Sequence, residues 1–327
     1  MTTSTDKGST DKGSTGKRST GERSTGERST RERVGSARTT ATPTRRESRE
    51  RRSPRRYAAD LATYAVLVAG ALLTLGPYAL SLATSLKTPV QFAREGALAP
   101  PWPVTFDNYV ALFSGRYSFI PPLAITAQVV IVVLVGQITC SVLAAYAFAR
   151  LRFPGRDLLF WAYLATLMVP QVVTLVPLYT MMTTVGLRDT FWGIVLPYLF
   201  GSPYAIYLLR EYFRGIPADI LNAATIDGAG TLRTLWYIVV PMSRPILATL
   251  SIITVVTHWN NFLWPLIITS SEKWRVLTVA TANLQSQYSS NWTLVTAATT
   301  VAMAPLVVVF LIFQRHVVRS ISLTGLR

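Results

Sequence analysis

Six long stretches without a charged side chain restrict how this chain can fold more than any other feature does. They cover residues 61–86, 117–149, 158–187, 190–209, 245–271 and 276–314. A helix needs about 20 mostly apolar residues to cross a bilayer, and each stretch is at least that long. Backbone polar groups in lipid must be paired, and a helix pairs them within its own segment. The sequence therefore predicts an all-α membrane protein with six transmembrane helices.

The polar ends of these stretches narrow the predicted spans to about 61–86, 122–149, 158–184, 190–210, 245–270 and 293–315. Half of the residues are hydrophobic and only 15% are charged, which excludes an ordinary soluble domain. The first stretch begins too far from the N-terminus for a secretory signal, so it is predicted to be retained as a span.

Residues 1–56 differ in composition from the membrane domain predicted at 57–327. They hold 16 of the 32 Lys and Arg residues but only 7 of the 16 Asp and Glu residues. Near-repeats such as STGER offer almost no apolar side chains for a core, so this segment is predicted to be a disordered, basic cytosolic tail. A basic arm also suits nucleic acid or anionic lipid. We expect a solvated leader beside the membrane and no nucleic-acid partner.

The basic residues between the spans predict the orientation, because Lys and Arg resist translocation. With the N-terminus in the cytosol, the chain after the tail places ten basic residues inside and six outside. This favours a multi-pass membrane protein with both termini in the cytosol. The connection between the fourth and fifth spans is then cytosolic.

That connection contains a small, polar, glycine-bearing segment, NAATIDGAGTLRTLWYIVVP, from Asn222 to Pro241. A run of helix formers at 218–225 ends at Asp227-Gly228, which is a turn signal. Thr231 is expected to cap a second helix, which the last proline of the segment ends. One face of that helix is predicted to be apolar, formed by Leu232, Leu235, Trp236 and Val239. Two short helices of this kind also suit an interfacial membrane anchor.

The residue order of this segment resembles the cytosolic coupling loop of binding-protein-dependent ABC importer permeases. The family pattern is Glu-Ala-Ala, three residues, Gly, nine residues, Ile, one residue, Leu, Pro. Here Asn222 stands in place of the Glu and Val240 in place of the Leu. The resemblance implies that a two-helix coupling loop at 216–241 enters a cleft on a separate ATPase. The residues that carry this role are Asn222, Ala223, Ala224, Asp227, Gly228, Ile238 and Pro241.

Other segments resemble the carbohydrate-uptake branch of that family, the maltose-type permeases. They are LAAYAFARLRFPGRDLLF, MVPQVVTLVPLY, GLRDTFWGIVLPY, IPADILNAATIDGA and WNNFLWPLI, and the resemblance extends from about Tyr64 to Arg327. It implies the ABC importer transmembrane-domain fold. It also implies a permease subunit that forms half of the pathway for a sugar or oligosaccharide.

The same resemblance implies the partners of this chain. They are a second homologous permease in a heterodimer, two copies of a cytosolic ATPase subunit and an extracellular solute-binding protein, all at the lipid bilayer. The chain has no Gly, four residues, Gly-Lys-Ser/Thr phosphate loop, so ATP and magnesium are expected on the partner ATPase. No cofactor and no catalytic residue are expected on this chain.

The few candidates for binding chemistry lie in the predicted spans. One cysteine and two histidines, Cys140, His258 and His316, do not suffice for a metal site. Amide groups and aromatic faces bind sugar hydroxyls, and polar groups beside a proline kink suit a water-filled path. The candidate translocation path is Gln171, Thr174, His258, Trp259, Asn260 and Asn261. Hydrogen bonding between helices is the alternative role for Trp259, Asn260 and Asn261. The alternatives are a structural role for His258 and a structural kink for the polar residues of the third span.

Two other transport functions remain open from the residues. One is the same machine for a polyamine, a phosphonate or another solute. The other is a secondary transporter, which also has bent spans with polar groups at mid-membrane. Against it, the acidic residues after the tail all lie outside or at the edges of the apolar stretches.

Overall fold

The computed structural model describes the backbone of residues 54–114, 118–287 and 291–324, and the side chains of 60–114, 118–287 and 291–313. Every regular element in this part of the chain is a helix. The predicted all-α class is therefore confirmed for the described residues. The predicted tail at 1–56 lies outside them, except for the first residues of the first helix.

The helices are named in chain order, with one 3-10 turn and one π-helical turn among them. They are α1 (Pro54–Ser85), α2 (Pro89–Glu95), α3 (Asp107–Phe113), α4 (Ile120–Arg150), α5 (Arg156–Ala165), a 3-10 turn (Thr166–Met168), α6 (Gln171–Thr184), α7 (Phe191–Leu199), α8 (Pro203–Arg214), α9 (Ala218–Ile226), α10 (Thr231–Thr234), a π turn (Leu235–Val239), α11 (Val240–Met242), α12 (Arg244–Trp259), α13 (Leu263–Ile268), α14 (Leu277–Gln287) and α15 (Trp292–Thr324).

Four segments are long and apolar enough to cross a bilayer as they stand: Asp60–Ser85, Ile120–Arg150, Phe191–Arg214 and Trp292–Phe313. Two bent pairs satisfy the same criteria when each pair is taken together. Arg156–Met168 meets Gln171–Thr184 at 104°, and Thr231–Met242 meets Arg244–Trp259 at 81°. The described residues thus contain four to six spans, in agreement with the six predicted.

The bend in the third predicted span follows from its prolines. Val169 has an extended backbone, and Pro170 precedes the first residue of α6. A residue before proline avoids the helical region, so the helix ends there and restarts in a new direction. Pro177 lies inside α6 and removes one more backbone donor.

The described residues contain three clusters of buried apolar side chains, and two of these clusters lie at different positions along α4. The loop-end cluster contains Val142, Ala145, Tyr146, Phe160, Ala205, Ile206, Leu209, Phe213, Ile216, Leu235, Val239 and Leu250. The far-end cluster contains Val129, Val133, Met182, Ile194, Val195, Trp264, Ile268, Val276 and Val279. Helix α4 contributes to both clusters. Helix α7 belongs to the far-end cluster and α8 to the loop-end cluster.

A carboxylate fastens the connection between α6 and α7 to the end of α13. Asp189 has a positive φ of 55°, and its backbone N–H donates to the Ile268 carbonyl at 2.9 Å. The carboxylate accepts the N–H groups of Ser270 and Ser271 at 2.9 and 3.0 Å and the Ser271 hydroxyl at 3.0 Å. The Ser271 and Ser270 donors hold the pKa of Asp189 below its usual range.

Candidate coupling loop and translocation path

The first half of the 216–241 loop is a short helix that ends in a glycine turn. Helix α9 spans Ala218–Ile226, with Asp219 in its first turn, where a negative charge complements the helix dipole. At the other end, Gly228 N–H donates to the Thr225 carbonyl at 3.0 Å and Ala229 N–H to the Ala224 carbonyl at 2.9 Å. This pair of hydrogen bonds is the Schellman motif.

Gly228 supplies the backbone conformation that this motif requires. Its φ is +78°, in the left-handed region that L-residues rarely adopt. A Cβ atom on Gly228 would meet no atom of the described residues within 4 Å. Within this chain the requirement for glycine is therefore conformational and not steric.

The side chains of the family signature mostly face outward. Asn222, Ala223, Asp227 and Gly228 are exposed, whereas Ala224 is buried against the protein. Ile226, immediately before the turn, is 86% exposed. The turn thus places small and apolar groups together at the surface, and no described part of this chain covers them.

The second half of the loop differs from the sequence prediction in two ways. Thr231 is the first residue of α10 and not its cap, because Gly230 occupies the N-cap position and contributes no side chain. Pro241 does not end the helix, since α11 continues to Met242. Proline lacks an N–H and crowds the preceding turn, and the π turn immediately before α11 widens the helix at that point.

The π turn also changes which side chains of this helix are buried. Of the predicted apolar stripe, Leu235 and Val239 are buried in the loop-end cluster. Leu232 and Trp236 are 63% and 44% exposed, so only half of the stripe packs against the protein. Ile238 and Pro241 are half-buried. The helix is held by its buried side chains and leaves Leu232 and Trp236 exposed.

Arg150 joins the loop to the end of α4. Its guanidinium donates to the carbonyl oxygens of Phe213 and Ile216, and more distantly to that of Arg214 at 3.5 Å. The last carbonyls of a helix have no partner within the helix, and a cation there also complements the dipole. Arg150 therefore caps α8 at the point where the 216–241 loop begins.

Arg210 holds α8 against α5. Its guanidinium carbon lies 4.0 Å from the centre of the buried Phe160 ring, and it forms an ion pair with Glu211 at 2.6 Å. Asp157 lies 3.9 Å from the same guanidinium. These contacts connect the loop end to the start of the third span.

Two of the candidate path residues are buried within the protein. The Trp259 indole N–H donates to the Ala302 carbonyl at 3.0 Å, one turn before Pro305. His258 is 8% exposed, and its ring centre lies 4.9 Å from that of Tyr198. Both contacts join neighbouring helices, which is the structural alternative described for these side chains.

The other candidates are more accessible. Gln171 and Thr174 are exposed on the first turn of α6, where the Thr174 hydroxyl donates to the Gln171 carbonyl at 2.9 Å. Asn260 is exposed and donates to the Val256 carbonyl at 2.9 Å, and Asn261 is half-buried. No described hydrogen bond joins the α6 pair to the residues that follow α12. The path candidates therefore form two separate groups in this chain.

Arg150 and Arg210 were two of the ten basic residues that predicted the orientation, and their contacts were not predicted from the sequence. A single arginine at the end of an apolar stretch is a signal for helix capping, but the sequence does not identify which helix it caps. Gln137 in the middle of α4 was also missed, although an amide deep in an apolar run is itself a signal.

Comparison with known proteins agrees with this arrangement. The family described as "Binding-protein-dependent transport system inner membrane component" matches residues 137–323, which is more than half of the chain. The chain belongs to this family. It is a permease, the non-catalytic membrane subunit of an ABC importer, and the matched region includes the whole 216–241 loop.

Two similar relatives and one solved structure extend the comparison over most of this permease. The sn-glycerol-3-phosphate transport system permease protein UgpE of Yersinia pestis bv. Antiqua (strain Antiqua) is 36% identical over 80% of this chain and 95% of its own. The arabinooligosaccharides transport system permease protein AraQ of Bacillus subtilis (strain 168) is 30% identical over 78% and 92%.

The solved structure is that of a bacterial ABC transporter involved in the import of the acidic polysaccharide alginate. One of its chains superposes with a TM-score of 0.72 and 22% identity, over 80% of this permease and 98% of that chain. The similarity supports the ABC importer transmembrane-domain fold.

Proposed function

We propose that this permease forms half of the membrane pathway of an ATP-driven importer for a sugar or oligosaccharide, which an extracellular binding protein delivers. ATP hydrolysis takes place on a separate cytosolic subunit. The 216–241 loop enters a cleft on that subunit and transmits its movement to the spans. Two copies of the ATPase and a second, homologous permease complete the assembly.

One observation carries this proposal: the loop is anchored on one face and uncovered on the other. Leu235 and Val239 fix it to the loop-end cluster, and Arg150 fixes its beginning. The uncovered side presents Ile226 and Tyr237, which are 86% and 77% exposed, next to a rigid glycine turn. Exposed apolar groups on a rigid element are typical of a surface that binds a protein partner.

The substrate class rests on the relatives and on the polar residues of the spans. The relatives named above transport sn-glycerol 3-phosphate and arabinooligosaccharides according to their names, and both solutes carry several hydroxyl groups. Gln171, Thr174 and Asn260 are exposed amide and hydroxyl side chains within the spans. We assign these three residues to the translocation path and His258 and Trp259 to helix packing beside it.

The experiment that tests the function is uptake by the reconstituted assembly. The permease is purified in mild detergent with its associated proteins, identified by mass spectrometry, and placed in liposomes. Labelled sn-glycerol 3-phosphate and arabinotriose are then supplied with the binding protein. We expect a second permease and an ATPase to copurify, and uptake of one of these solutes to require both ATP and the binding protein. A permease that purifies alone and is driven by an ion gradient contradicts the proposal.

A further inference from the structure

The fourth span is interrupted between the two clusters of buried side chains. Phe200 and Ser202 have extended backbones, with φ and ψ of −91° and 122° and of −98° and 132°. The interruption separates α7 from α8, so the far-end cluster stops and the loop-end cluster begins at this point. Pro203 favours a break at this point, since the residue before a proline avoids the helical region, and Ser202 is extended.

Side chains from neighbouring spans pair the backbone groups that the interruption releases. The Gln137 amide on α4 donates to the Tyr198 carbonyl at 3.2 Å. The Ser202 N–H donates to the Ser141 hydroxyl at 3.1 Å, and the Tyr163 hydroxyl donates to the Gly201 carbonyl at 2.8 Å. Inside a membrane such groups have to be paired within the protein. The break is therefore held by three side chains that belong to other helices.

Gln137 connects this break to a further span. Its amide oxygen accepts the Thr254 hydroxyl of α12 at 3.2 Å, while its amide nitrogen holds the fourth span. Gln137 lies one turn from Val133 of the far-end cluster and near Val142 of the loop-end cluster. One amide thus contacts the two spans that flank the 216–241 loop in sequence, at the height where the clusters meet.

The far-end side of the break is fastened separately. Pro197 has no N–H for the Gly193 carbonyl, and the buried Trp264 indole donates to that carbonyl instead, at 3.1 Å. Gly136 permits α4 to lie against this part of the span, since a Cβ there would come within 2.4 Å of a Leu199 side-chain carbon. Helix α7 is consequently fixed to α13 and to the far-end part of α4, whereas α8 packs on the loop-end part of α4 and is joined there to the loop by Arg150.

We propose that the Phe200–Ser202 break is the joint through which movement of the 216–241 loop reaches the far end of the permease, and that Gln137 is its positioning residue. Hinges are short segments at element ends that absorb changes in backbone angles. Here α8 and the loop move together with the end of α4 that Arg150 joins to them, and α7 stays with the far-end cluster. Gln137 keeps the fourth and fifth spans aligned across the joint by holding both. The inference rests on the proposed function of the loop.

The test is the amount of solute transported for each ATP hydrolysed. Gln137→Leu keeps the size of the side chain and removes both of its hydrogen bonds. Thr126→Val is the matched control, because Thr126 is an equally buried residue of α4 whose hydroxyl accepts the Leu277 N–H at 2.8 Å, away from the joint. Both variants are reconstituted with the partner subunits and binding protein, and the solute is the one that the wild type takes up.

We expect Gln137→Leu to lower solute transported per ATP at least tenfold while ATP hydrolysis and ATPase binding persist. Thr126→Val should leave this ratio unchanged even where its abundance falls. Equal ratios for Gln137→Leu and the wild type overturn the inference, and so does an equal loss in both variants. Should Gln137→Leu not assemble, Thr254→Val and Ser141→Ala each remove one contact at the joint and are judged by the same ratio.

The same experiment separates this inference from the function on which it rests. A wild-type assembly without ATP-dependent uptake contradicts the proposed function itself. A coupled wild type with an equally coupled Gln137→Leu variant contradicts only the joint.

Discussion

At the scale of single residues, Gly228 is the position where a substitution separates docking from folding. Its φ of +78° makes any L-residue strained by about 1 kcal/mol, which does not unfold a six-span domain. Since a Cβ there meets no atom of the described residues within 4 Å, any larger effect arises at a partner surface.

We expect Gly228→Asp to remain in the membrane with its partner permease while uptake is lost and less ATPase is retained on purification. Gly228→Ala should retain part of the uptake. Gly230→Asp is the matched control, because Gly230 is equally open but has no positive φ, and we expect it to keep most of the activity. Normal uptake by Gly228→Asp would favour an interfacial anchor over a docking loop.

Asp189 provides a test of pH dependence. Its pKa is held below the usual value by the Ser271 and Ser270 donors, so the ionised form stabilises the fold above the ordinary pKa of 3.8. This stabilisation is lost as the pH falls through the lowered pKa of the folded state. When the pH is lowered from 5 to 3, the melting temperature of the detergent-solubilised protein should fall less for Asp189→Asn than for the wild type. If the melting temperatures of the two proteins fell in parallel, the Asp189 contacts would not contribute to the pH dependence of stability.

At the scale of helices, the Arg150 cap determines how firmly the loop is attached. A hydrogen bond to a charged group contributes about 1.5–3 kcal/mol to the free energy of unfolding. Arg150→Ala removes the guanidinium donor from the carbonyls of Phe213 and Ile216. We expect a lower melting temperature and weaker uptake, with Arg150→Lys intermediate because an ammonium group reaches fewer carbonyls. Arg152→Ala removes an exposed neighbouring charge and should melt like the wild type. Equal melting of all four proteins would exclude a capping role.

The helices also show how much of the fold could be predicted from the sequence alone. Long charge-free runs predicted the spans because lipid tolerates little else, and Pro170 predicted the bend in the third. The break at 200–202 was missed, although Gly201 and Pro203 are signals for it. The pairing of its backbone groups by Gln137, Ser141 and Tyr163 was not predictable, because these contacts depend on tertiary packing.

The coupling signature located the 216–241 loop but not its buried face. A π turn adds a residue to one helical turn, and this change in register accompanies the exposure of Leu232 and Trp236.

At the scale of the whole molecule, the orientation remains a prediction from the ten-to-six distribution of basic residues. In a variant whose native Cys140 is replaced by Ser, single cysteines at Thr225 and Ser271 report the two sides. An impermeant thiol reagent added to intact cells should label Ser271→Cys and not Thr225→Cys. The opposite pattern would place the 216–241 loop outside the cell.

The central claim is that the 216–241 loop contacts the ATPase subunit, and site-specific cross-linking tests it most directly. A photoreactive amino acid replaces the exposed Asn222 in the intact assembly, and the same amino acid at Ser270, beside Asp189, serves as the control. We predict that irradiation joins the Asn222 position to the ATPase subunit, whereas the Ser270 position gives no such product. A cross-link from Asn222 to lipid alone, or one to the ATPase from Ser270, would contradict the account.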